Sequence, residues 1–118
     1  MRPISSRIDT GSALFATNRA ANEKLVEILR DRMQWVIDGG PGRTVSIERH
    51  LARGKIMVRD RIDHVVDADT PVLELSTLSG WGQYEDSAPG AGIVTAIGLV
   101  HGVPYMFIAN DATVKGGS

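Results

Sequence analysis

The chain has 118 residues, enough for one domain, with 42% apolar and 23% charged residues, the balance of an ordinary globular protein. It has no cysteine, which excludes disulfides, thiolate metal sites, a zinc ribbon and cysteine nucleophiles. The net charge of −1 conceals an asymmetry: residues 1–61 hold twelve of the thirteen Lys and Arg against seven acids, and residues 62–118 hold one against seven. A basic half of this kind either faces the phosphates of a nucleic acid or a cofactor, or carries solvated helix charges. No apolar run approaches the roughly 18–20 residues of a membrane span, and the opening residues lack the apolar stretch of a signal peptide. The expected setting is therefore the bacterial cytoplasm, with no membrane partner.

Residues 1–11 read as a flexible polar tail. Thr10 or Ser12 is placed to cap a helix over residues 12–38. Its stripe of Leu14, Ala21, Leu25, Ile28, Leu29, Met33, Val36 and Ile37 falls mostly three or four apart, and Gly39-Gly40-Pro41-Gly42 ends it. A helix this long is suited to lying across a partner subunit. Residues 43–66 read as two shorter helices broken at Gly54. Ser46 is the expected cap of the first, with Glu48 in its opening turn. Val58, Ile62, Val65 and Val66 form the apolar side of the second. Residues 67–71 are turn material, 72–75 a short strand, and 77–91 a glycine-rich loop holding Trp81, Tyr84, Glu85 and Asp86.

Residues 93–100 and 103–109 are rich in β-branched and aromatic side chains and are separated by His101-Gly102, which predicts a β-hairpin. Both strands are apolar on both faces and ask for cover on each side. A hairpin of that kind, running into a glycine-rich turn, suggests a truncated domain, poorly soluble or self-associating when isolated.

Arg49, His50, Arg53, Lys55, Arg59 and Arg61 form the densest charge cluster. They can reach phosphate oxygens, or pair with Glu48, Asp60 and Asp63 on a solvated face. Lys115-Gly116-Gly117-Ser118 looks like part of a phosphate-cradling loop, although its Lys precedes the glycines and it is no Walker motif. Glu85-Asp86 reads as an exposed pair, His50, His64 and His101 share no metal-ligand spacing, and Asn110-Asp111 reads as a turn bonding its own backbone. The cluster lacks the interleaved aromatics of a single-strand binder, so no nucleic-acid partner is expected.

From residue 48 onward the words ERHLARGKIMVRDRID, VLELSTL, PGAGIVTAIGLVHG and ANDATVKGGS resemble, in order and spacing, the start of a biotin-dependent acyl-CoA carboxyltransferase subunit. The ANDATVKGG word and the QYED loop (83–86) point within that family toward methylcrotonoyl-CoA carboxylase β subunits. Geranyl-CoA and propionyl-CoA carboxylase subunits are the alternatives, and a small non-catalytic CoA- or subunit-binding module is a further one. The resemblance implies an α/β architecture in which 12–66 is a helical extension and 67–118 opens a crotonase-like domain of β-β-α units. It also implies transfer of a carboxyl group from carboxybiotin to an acyl-CoA, here 3-methylcrotonoyl-CoA of leucine degradation, by a ligase of homo-oligomeric subunits working with a biotin-carboxylase and biotin-carrier subunit. The oxyanion holes and the biotin side would lie beyond residue 118, leaving this fragment inactive alone. Its own share would be part of the CoA grip, at Lys115, Gly116 and Gly117, with Arg53 and Lys55 as a second group and no metal.

Overall fold

The structure, a computed structural model, describes residues 5–40 and 42–117; residues 1–4 of the expected tail, Pro41 and Ser118 lie outside the described residues. The chain divides after Arg32 into two units. The first carries most of helix α1 (Ala13–Ile37). Of the two cap candidates, Ser12 serves: its Oγ accepts the Phe15 N–H at 3.2 Å while its hydroxyl donates to the Asp9 carbonyl at 2.8 Å. Leu14, Leu25, Ile28 and Leu29 of the apolar stripe are exposed. Arg19 and Glu23 form an exposed i,i+4 ion pair at 2.7 Å, of small energetic weight.

The second unit starts with the last residues of α1. Gly39 and Gly40 turn the chain out of the helix with positive φ, and Val36 is fully buried. Trp35 meets Trp81 of the 76–92 loop edge-on, with ring centroids 5.1 Å apart. Helices α2 (Thr44–Ala52) and α3 (Val58–Asp63) follow, separated at Gly54 as expected. The expected Ser46 cap is corrected: the cap position lies three residues earlier, at Arg43, with no side-chain cap, and α2 begins at Thr44, so its first turn holds no acid and Glu48 lies beyond it. Val65 is also corrected. Because α3 stops at Asp63, Val65 turns outward and is exposed, while Val58 and Ile62 are buried and Val66 packs against them.

Strands β1 (Leu73–Leu75), β2 (Ile93–Val100) and β3 (Val103–Asn110) form one antiparallel sheet in the order β1-β2-β3. The hairpin register pairs Val94 with Ala109 and Ala96 with Phe107, which puts these four side chains on one face. Val58 and Ile62 of α3 cover that face and close the core. Gly98 permits the approach, since a Cβ there would lie 2.7 Å from Val66 Cγ1. Cover on both faces is not found among the described residues: Met106 and Ile108 of β3, on the face opposite Phe107, are exposed. The edge strand carries Pro104, which cannot donate to a further ladder at that position.

The hairpin turn is fixed from outside. His101 and Gly102 both take left-handed φ (51° and 74°), as a two-residue turn requires, and both amides donate to the Asp67 carboxylate at 2.7 Å. The Asp67 amide in turn donates to the Leu99 carbonyl at 2.8 Å. The two turn amides, with the smaller effect of the nearby His101, hold the Asp67 carboxyl below its ordinary pKa against a slight opposing desolvation. A depressed folded-state pKa stabilises above the unfolded value and is lost as pH falls through the folded one. Asp67→Asn is accordingly expected to lower the melting temperature at pH 7, and the gap to the parent to shrink as pH drops below about 4. A gap independent of pH in thermal melts would contradict this role.

Candidate phosphate-binding site

The residues from Asp111 to Gly117 leave the sheet in a tight sequence of turns. The Val114 amide bonds the Asp111 carbonyl at 3.0 Å, and the Gly117 amide bonds the Val114 carbonyl at 2.7 Å. Asp111 is the anchor. Its Oδ1 accepts both the Thr113 amide (3.0 Å) and the Thr113 hydroxyl (2.6 Å), the local bonding expected for this turn. The sequence did not reveal its other partner. Asp111 Oδ2 accepts from Arg43 Nη2 at 2.7 Å, and the same nitrogen bonds the Thr113 hydroxyl. Arg43 and Asp111 are separated by 68 residues and both are buried, so no local pattern announces them.

Burial pushes the Asp111 carboxyl up, but the Thr113 hydroxyl and amide and the Arg43 guanidinium outweigh it and hold the group below its ordinary pKa. Arg43 Nε is buried without a partner among the described residues, and Arg43 is one of the residues lining a void of about 10 Å³, with Thr77 and Glu74, the size of one water molecule.

This ion pair joins the residue that starts α2 to the turn that follows β3. Between those two walls lies a cleft of about 330 Å³. Arg49, His50 and Arg53 reach it from the end of α2, Lys55 from the loop beyond, and Lys115 and Gly116 from the turn. Ser46, the cap that was not a cap, lines it with Thr113. Of the residues singled out from the sequence, Arg53, Lys55, Lys115 and Gly116 thus surround one space. Gly117 does not. It packs beneath the turn, where a Cβ would sit 3.4 Å from Ala112 Cα at a φ of 85°.

The basic cluster is split by the fold. Arg59 leaves it for a two-pronged ion pair with Glu74 (2.8 and 2.7 Å), tying α3 to β1, and Arg61 bonds the Asn110 carbonyl. The pairing expected with Glu48, Asp60 and Asp63 is therefore not the one made. Among the described residues no ion pair engages Arg49, Arg53 or Lys55. His50 Nε2 lies 2.9 Å from the Ile56 carbonyl, to which it donates, and this fixes the ring.

Lys115 Nζ sits over the Tyr84 ring, 5.1 Å from its centroid. Tyr84, Glu85 and Asp86 are three consecutive non-glycine residues with φ between 53° and 56°, an uncommon and costly run. It is held by Asp86 Oδ1 accepting the Gly82 amide at 2.7 Å, which gives Asp86 a structural task. No group of three or more His, Asp or Glu side chains suited to a metal occurs among the described residues, and no described helix is long and apolar enough to cross a membrane.

The sequence profile of the carboxyl transferase domain matches residues 49–118, which includes nearly all of the cleft. The chain belongs to the carboxyl transferase domain family. It is 41% identical over 94% of its length to the mitochondrial methylcrotonoyl-CoA carboxylase beta chain of Arabidopsis thaliana, covering 19% of that protein. The biotin-dependent 3-methylcrotonyl-coenzyme A carboxylase beta1 subunit of Mycobacterium tuberculosis is 43% identical over 82% of the chain and 18% of that subunit. Among solved structures, the geranyl-CoA carboxylase beta subunit of P. aeruginosa superposes with a TM-score of 0.77 at 31% identity, over 98% of this chain and 21% of that one. Transcarboxylase 12S, solved as a hexamer with hydrolysed methylmalonyl-coenzyme A bound, gives 0.65 at 28% identity, over 79% of this chain and 18% of that one. The chain thus spans about a fifth of these relatives, and its helices and sheet are part of their crotonase-like carboxyltransferase fold.

Asp111→Ala would leave the buried Arg43 charge uncompensated and is expected to cost about 3–5 kcal/mol in urea unfolding. The double variant Arg43→Met/Asp111→Leu is expected to cost less than the two single changes added together. Strict additivity would show that the two residues do not act as a pair.

Proposed function

We propose that the chain is the N-terminal part of a carboxyltransferase subunit of a biotin-dependent acyl-CoA carboxylase, and that its cleft holds the phosphates of the acyl-CoA. Family membership supports the reaction class. The observation that carries the assignment within the chain is the convergence of Arg49, Arg53, Lys55 and Lys115 on one cleft whose described lining residues include no acidic side chain. Arg49, Arg53 and Lys55, exposed and with no ion-pair partner among the described residues, repel one another and gain most when a polyanion arrives. Arginine can meet phosphate oxygens with two parallel N–H donors, and lysine supplies a mobile point charge.

The preferred acyl-CoA in this reading is 3-methylcrotonoyl-CoA, which places the enzyme in leucine degradation. The identities of 41% and 43% to methylcrotonoyl-CoA carboxylase subunits support it. Residues 12–66 serve as the leading helical extension and 67–118 as the opening of the crotonase-like domain. The extension's last helix, α3, seals the sheet, so the two regions share one core.

Carboxybiotin, presented by a partner biotin-carrier subunit, supplies the carboxyl group. None of the side chains lining this cationic cleft resembles a site for its ureido ring, and no step at the acyl carbon is assigned to residues of this chain. Their task is to bind and orient: Arg49, Arg53, Lys55 and Lys115 fix the phosphate end, while Gly116, with open space where a Cβ would stand, keeps the turn clear of the ligand. Alone, the chain is expected to bind acyl-CoA and to transfer nothing.

In the whole subunit, Lys115→Ala is expected to raise the KM for acyl-CoA about tenfold and to leave kcat within about twofold, the pattern of lost uniform binding. An unchanged KM in steady-state carboxylation would remove Lys115 from the grip.

A further inference from the structure

We propose that the cleft recognises phosphate charge and not the base, so that free pyrophosphate and nucleoside polyphosphates compete with acyl-CoA for it. This rests on reading the cleft as the phosphate grip. The described lining offers the cations Arg49, Arg53, Lys55 and Lys115, the hydroxyls of Ser46 and Thr113, and no acidic side chain. CoA brings a matching charge, two units on its diphosphate and roughly 1.5–2 on its 3′-phosphomonoester. A base, by contrast, needs an aromatic or apolar platform on which to stack.

Among its described lining residues the cleft has no such platform. Its one ring is His50, whose Nε2 is engaged by the Ile56 carbonyl. The nearby exposed ring is Tyr84, over which the Lys115 ammonium already sits. The helix contributes no selectivity either. One side of α2 borders the cleft, from Ser46 in its first turn to Arg53 at its C-cap, so no helix N-terminus points into it and attraction for an anion comes from the side chains. Exposed side-chain charges attract any polyanion that fits, and salt screens them. At about 330 Å³ the space is at the small end of ligand pockets, suited to a run of phosphates more than to a whole nucleotide. Nucleoside di- and triphosphates of either purine are then competitors of acyl-CoA whose effect follows their charge.

The test is displacement of fluorescent etheno-CoA from the whole subunit by pyrophosphate, ADP, GDP and adenosine, repeated with the Arg53→Gln/Lys55→Gln variant. Pyrophosphate, ADP and GDP are expected to displace it with Kd values within about threefold of one another, and adenosine not at all; the double variant is expected to weaken etheno-CoA and all three competitors about tenfold or more. ADP binding about tenfold more tightly than GDP, or displacement by adenosine, would overturn the inference and leave the phosphate grip standing. Failure of pyrophosphate where unlabelled CoA succeeds would do the same. Etheno-CoA binding that is unaltered in the double variant would overturn both, since the cleft would not be the CoA site.

Discussion

The buried contact between Arg43 and Asp111 is the constraint on which the cleft depends. Arg43 stands at the first turn of α2, and Asp111 at the point where the chain leaves β3. Their 2.7 Å ion pair, with Thr113 bonded to both, locks those two places together. One wall of the cleft is the exposed side of α2 and the other is the turn from Ala112 to Gly116. Neither wall touches the other through a broad apolar surface; the buried apolar cluster lies between α3 and the sheet. A buried pair is poor evidence for stability, because desolvation offsets much of its attraction. Its value here is geometric. Asp111 has its oxygens committed to Arg43 and Thr113, and this leaves one arrangement of the turn that satisfies all three residues.

The same chain segment divides its charges between the fold and the cleft. Arg59 and Arg61, equally basic in sequence, are drawn into the structure by Glu74 and by the Asn110 carbonyl. Arg49, Arg53 and Lys55 stay on the cleft with Lys115 opposite. Lys115 is steadied by the ring of Tyr84, which a costly left-handed run of three residues presents to it. Strain of that kind persists where the surroundings over-determine it, and it gathers at binding sites more often than elsewhere.

Much of this fold was legible because its signals are local. Two eight-residue runs rich in β-branched and aromatic side chains around His101-Gly102 can hardly form anything but a hairpin, and Gly39-Gly40 with positive φ ends the helix. Ser12 was legible as a cap for the same reason. Ser46 misled, since a serine ahead of a glutamate looks like a cap but the helix had already begun at Thr44, behind Arg43 at the cap position, which is committed to a partner 68 positions away. Long-range pairs leave no such trace in one sequence. Arg43 with Asp111, Arg59 with Glu74 and the turn amides on Asp67 all join segments that only the folded topology brings together. Arg53, Lys55 and Lys115 were nameable as cations of interest; that they face one another across a single cleft could be read only from the fold.

The chain has three lysines, Lys24 on α1 and Lys55 and Lys115 on the cleft, and this makes one measurement decisive. The whole subunit would be labelled briefly with an amine-reactive reagent, with and without 3-methylcrotonoyl-CoA, and labelling at each lysine would be read by mass spectrometry. If the cleft grips the acyl-CoA phosphates, the ligand protects Lys55 and Lys115 and leaves Lys24 labelled as before. Equal labelling of all three lysines with and without saturating ligand would contradict that account.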